Sequence, residues 1–153
     1  MVKRKQGIAY RCIIGCLLSI GLVARAYAID NPEAPDLIGE FEKREIIYLK
    51  DIDNPKNSTR DFLVAYDNYL TFLDEELNKA SEKLNSKLPE ARKSELITAQ
   101  QHWIKYRDAE FELIKNTWTR KDFGSSAGVS RGDYRTSIVK NRVIQLLHYT
   151  KNF

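Results

Sequence analysis

Arg107 and Glu110 stand three residues apart in the stretch AQQHWIKYRDAEFELI, residues 99–114. A guanidinium and a carboxylate at that spacing lie on one side of a helix, within reach of each other. Leu96, Ala99, Trp103, Tyr106 and Leu113 share a stripe with Glu110, so the pattern puts a carboxylate among core residues. Such a carboxylate must be paired, hydrogen-bonded or protonated. Arg107 is its nearest partner, and Arg142 on a later helix is a second. The residues fit a structural ion-pair network better than an acid–base centre.

Other candidate chemistry is sparse. Asp74, Glu75 and Glu76 form an acidic cluster, but three adjacent carboxylates on a helix read as solvated surface. Glycoside hydrolysis needs two carboxylates flanking a cleft at a set separation, which the sequence does not display. His102 and His148 are the only histidines and share no metal-ligand spacing. Cys12 and Cys16 are the only cysteines, and both lie in the N-terminal segment. No glycine loop of the phosphate-cradling type occurs. The expectation is a protein with no cofactor, no metal and no catalytic residue. The acceptor-like Asn57-Ser58-Thr59 and the tripeptide Arg131-Gly132-Asp133 are short enough to arise by chance.

The N-terminus has the order of a secretory signal peptide. Lys3, Arg4 and Lys5 precede an apolar run from Cys12 to Ala24, and Ala26-Tyr27-Ala28 supplies an A-x-A cleavage pattern. Cleavage is expected after Ala28. The run is short for a membrane span. A lipidated Cys16 is disfavoured because most of the run follows it. Removal of residues 1–28 takes away five basic residues and no acidic ones, leaving 20 Lys and Arg against 21 Asp and Glu. The pI of about 9.0 then misleads, and a basic nucleic-acid binder is not expected. The remaining chain has no cysteine, so an exported domain must rely on its core.

Residues 29–36, with Pro32 and Pro35, read as a flexible leader, and 37–153 as a single helical domain. Leu37, Phe41, Glu45 and Tyr48 recur every four residues or nearly so and predict a short helix over 36–50. A long helix is expected over 59–86, where Phe62, Tyr66, Leu70, Leu73, Leu77, Ala80 and Leu84 form a stripe. Pro89 ends it and opens another, over 89–117, as an antiparallel hairpin. Residues 119–133 hold three of the seven glycines and read as a long loop. Asp133 would cap a last helix over 134–149. The fold class is all-α: a long antiparallel hairpin, a C-terminal helix packed on it, and a short N-terminal helix.

The order of these features resembles the LprI-type lysozyme inhibitor family. The matching residues are Asp74, Leu77 and Asn78; Ala99, Gln100, Trp103, Arg107 and Asp108; Gly124 and Ser125; and Arg142. The resemblance covers about residues 66–147 and is most specific at AQQHWIKYRDAE. It implies a small exported bacterial protein, periplasmic or secreted, with a lysozyme-type hydrolase as partner and no enzymatic activity. Family members carry cysteines near the end of the second long helix and at the start of the last. Here Phe111 and Tyr134 stand there, and an aromatic contact would take the place of a staple. The family-motif residues, Glu110 with them, are read as structural. Arg120, Lys121, Asp122, Gly124, Ser125, Ser126 and Arg131, in the 119–133 loop, are read as the partner-binding site. Asp74, Glu75 and Glu76 would steer a cationic partner. Two other classes remain open: a cell-envelope interaction module docking through Ile46, Ile47 and Leu49, and a cell-wall glycan hydrolase using Glu110 or the acidic cluster.

Overall fold

The computed structural model describes residues 35–153; the expected signal peptide, Cys12, Cys16 and most of the expected leader lie outside the described residues. Five helices follow one another: α1 Leu37–Ile52, α2 Thr59–Lys87, α3 Glu90–Thr117, α4 Arg120–Phe123 and α5 Ser126–Thr150. No strand occurs among the described residues, and none of these helices is long and apolar enough to cross a membrane. The all-α expectation is therefore met.

Local chemistry sets the helix starts. The Asp36 carboxylate accepts from the Gly39 amide at 3.0 Å. Ser58 and Asp61 form a reciprocal capping box, with Asp61 accepting from the Ser58 amide at 2.9 Å. Pro89 separates α2 from α3, where its fixed φ suits a helix entry.

The core lies where α1, α2 and α5 meet. Phe41, Leu73, Val139, Val143 and Leu146 are fully enclosed. Phe41, Tyr48, Tyr69 and Phe72 add a stacked aromatic group between α1 and α2, with Tyr48 and Phe72 centroids 4.4 Å apart. Helix α2 packs most extensively on α5, and the two run parallel: Leu63 meets Gly128 and Tyr66 meets Gly132.

Those two glycines explain why 119–133 is not a long loop. Gly128, Gly132 and Thr136 are spaced every four residues and form a low ridge on α5 that lets α2 approach. Their sequence signal is that of a helix breaker, but packing outweighs the cost of about 1 kcal/mol per glycine. Thr119 caps the short α4, and the break before α5 falls at Gly124, whose φ of 60° is the left-handed conformation that glycine tolerates. Asp133 lies inside α5 rather than capping it. A Cβ on Gly132 would stand 2.4 Å from Tyr66 Cγ and 2.7 Å from its Cβ, atoms that cannot swing aside. Gly132→Ala is expected to lower the urea midpoint by the equivalent of about 2 kcal/mol. Gly128→Ala should cost less, since it meets the tip of Leu63.

Two buried carboxylates tie the helices together. Glu45 of α1 accepts from Tyr69 of α2 and meets Lys140 Nζ of α5 at 2.8 Å. Glu76 accepts from Arg44 at 2.6 Å and from Lys79 at 3.1 Å. Glu76 is therefore not part of a solvated acidic surface: it is 3 % exposed, whereas Asp74 is half-buried and Glu75 exposed. Burial opposes ionisation of Glu76, but the hydrogen bonds and charges of Arg44 and Lys79 outweigh it and hold its pKa below the usual 4.5. A depressed folded-state pKa stabilises the fold above the unfolded value, and that stability is lost as pH falls through the folded value. The melting temperature is expected to drop on acidification below about pH 4.5, and less steeply in Glu76→Gln.

Candidate partner-binding site

Helix α3 is held to the bundle by an unusual set of contacts. Only Leu96 and Ile114 of its residues are buried. Its inward line is Leu96, Gln100, Trp103, Arg107, Phe111 and Ile114, whereas Ala99, Tyr106 and Leu113 of the expected stripe are exposed. Cations and rings alternate along this line. Arg142 lies 5.9 Å from the Trp103 ring, Arg107 lies 5.6 Å from Trp103 and 5.8 Å from Phe111, and Arg135 lies 5.2 Å from Phe111. Each contact of this kind is worth about 0.5–2 kcal/mol. An apolar-stripe reading sets the wrong phase because arginines, not aliphatic residues, fill the seam.

The expected Arg107–Glu110 pair does not form. Arg107 turns back into the aromatic stack, where it pairs with Asp108 at 2.8 Å and reaches Asp74 at 3.8 Å. Burial holds the Asp74 carboxyl above its ordinary range, and the Arg107 charge offsets only part of that rise. Arg142 does not pair with Glu110 either. Its Nε donates to Gln100 Oε1 at 2.8 Å and its Nη1 to Gln145 Oε1 at 2.6 Å. Of the other motif residues, Leu77 is in the core and Asn78 is exposed. Phe111 and Tyr134 do not contact each other as a staple substitute. Phe111 takes Arg107 and Arg135, and Tyr134 takes Trp118 at 4.6 Å.

The residues read as a binding loop form a compact corner. Arg120, Gly124, Ser125 and Arg131 line one cavity of about 360 Å³ together with Arg60 of α2. Arg131 also lines an adjoining cavity of about 370 Å³ with Asp67, Lys115 and Arg135. Lys121, Asp122 and Ser126 are exposed and do not line the first cavity. Asp122 is taken up by Thr119, which donates to it at 2.6 Å, and Ser126 donates to the Phe123 carbonyl at 2.7 Å. Arg60, Arg120 and Arg131 form no salt bridge among the described residues. Arg60 and Arg135 were not visible as site residues in the sequence. A helical reading of residues 126–150 would have put Arg131 and Arg135 one turn apart on a single face.

Among the described residues, no group of three His, Cys, Asp or Glu side chains could hold a metal. The arrangement is suited to binding anions. It offers helix-anchored arginines that form no salt bridge among the described residues. No characterised protein and no solved structure matches the chain. A family model described as lysozyme inhibitor LprI matches residues 52–146, which span α2 to α5 apart from the end of the last helix. On that match, covering well over half of its length, the chain belongs to the LprI lysozyme inhibitor family.

Proposed function

We propose that this protein is an exported, non-enzymatic inhibitor of a lysozyme-type hydrolase and acts through the corner around α4. The observation that carries the reading is the convergence on one cavity of Arg60, Arg120 and Arg131, none of which forms a salt bridge among the described residues. Lysozymes cut their substrate between two carboxylates in a cleft. An arginine entering that cleft would meet the ionised carboxylate beside the acid in a desolvated setting, where charge-assisted hydrogen bonds are strong. This reconciles a basic corner with a target that is cationic overall, because the match is local. Steering by acidic surface has less support, since Glu76 is buried and Asp74 faces Arg107.

The domain organisation follows from the same reading: a signal peptide cleaved after Ala28, a leader over 29–36 and one helical domain over 37–153. An interaction module that does not inhibit is the second reading. It is favoured by Ile46 and Ile47, which stand 48 % and 59 % exposed on α1. Lysis of a peptidoglycan suspension by lysozyme, with increasing amounts of the purified protein, separates them. Dose-dependent slowing is expected. No slowing at large excess of folded protein would overturn inhibition of that lysozyme, and clearing without lysozyme would point to a hydrolase.

A further inference from the structure

The seam between α3 and α5 contains another cavity, of about 670 Å³, far along α5 from the α4 corner. Its walls include Trp103, Tyr106, Asn141, Arg142, Gln145 and Tyr149. Arg142 is a half-buried cation of this seam that meets no carboxylate, as is Arg135. Arg107 and Lys140 are comparably half-buried, and each meets a carboxylate. Arg142 meets only the amide oxygens of Gln100 and Gln145, which leaves its Nη2 without an acceptor among the described residues. That nitrogen is not among the buried polar atoms lacking a partner, so it is open to the cavity and free to take a ligand's acceptor.

The surrounding groups indicate what that would be. Gln145 also donates to the Tyr149 hydroxyl at 2.8 Å, so Gln100, Arg142, Gln145 and Tyr149 form one ordered chain of polar groups. Tyr106 stands 52 % exposed at the rim, and Trp103 backs Arg142. Aromatic rings offer flat apolar faces with a polar handle. Amides and a phenol offer both donors and acceptors. A planar guanidinium matches a carboxylate bidentately. The volume is within the range of small-ligand sites.

We infer that the Trp103–Arg142 cleft binds a carboxylate-bearing saccharide, with the acid on Arg142, the hydroxyls on Asn141, Gln145 and Tyr149, and a sugar ring against Tyr106. The site is separate from the α4 corner and does not depend on lysozyme inhibition.

The test uses two disaccharides that differ by one carboxylate: N-acetylglucosaminyl-N-acetylmuramic acid and chitobiose. Each is titrated into the purified full-length protein, with no lysozyme present, while the Trp103 indole and Arg142 Nε signals are followed by NMR. Acetate at matched concentration serves as the bare carboxylate. The acidic disaccharide should shift both signals and bind at least about tenfold tighter than chitobiose. Arg142→Gln should erase that difference, and Tyr106→Ala, at an exposed position, should weaken binding with the fold intact. Equal binding of the two sugars overturns the inference, as does a response to acetate as strong as to the disaccharide, or no response to the acidic sugar. The sugar comparison on the unaltered protein decides even where Arg142→Gln does not fold.

Discussion

Lys140→Met is expected to destabilise the protein by about 3–5 kcal/mol, read as a lower urea midpoint with an unchanged slope. Glu45 is 2 % exposed on α1, and its carboxylate is shared by Tyr69 of α2 and Lys140 of α5. Burial raises the Tyr69 hydroxyl pKa strongly, and the bond to Glu45 raises it further, so Tyr69 stays a donor and cannot supply counter-charge. Without Lys140 the carboxylate would be enclosed with one neutral partner. Folding would then require the bare charge to be buried or a proton to be bound. Replacing Glu45 by Leu in the same chain should recover much of the loss, because removing both ions is far milder than removing one. A loss below about 1 kcal/mol for Lys140→Met would show that solvent reaches Glu45 as readily as at a surface pair.

Trp103→Ala should release α3 while leaving the α2·α5 core in place. Trp103 is flanked by Arg142 at 5.9 Å and Arg107 at 5.6 Å, so its removal breaks two contacts of the seam at once. The expected cost is about 2–3 kcal/mol, below the 3–5 typical of a fully buried Trp because Trp103 is only half-buried. Amide hydrogen exchange is the informative measurement. Protection in α3 should fall well ahead of protection around Leu73, Val139 and Val143, which are fully enclosed. Equal loss across all helices would mean that α3 is an integral part of the cooperative core.

The helices α1 to α3 were legible in the sequence because their apolar spacing and end signals agree. Phe41 and Glu45 fall on one stripe, Ser58 and Asp61 form a cap, and Pro89 marks the link. Glu45 lay on the α1 stripe with Leu37 and Phe41, and it is buried there. Glu110 looked the same but belongs to a seam built from arginine and aromatic residues, whose phase an apolar count cannot set. The start of α5 was hidden because glycine has two meanings. At Gly124 it ends a helix through a left-handed φ, and at Gly128 and Gly132 it admits a neighbouring helix. Only tertiary contact tells these apart. The candidate site was legible in part: Arg120, Gly124, Ser125 and Arg131 do meet, while Arg60 comes from α2, about 60 residues earlier in the chain.

The most direct measurement is inhibition of lysozyme by the protein and by its Arg120→Glu, Arg131→Glu double variant, side by side in the peptidoglycan lysis assay. Arg120 is exposed and neither arginine carries a salt bridge, so the variant should keep its helical circular dichroism and melting temperature. If the corner enters a cleft lined with carboxylates, reversing two charges should weaken inhibition about 100-fold or more. Undiminished inhibition by the folded variant would contradict the account and move the binding surface elsewhere on the bundle.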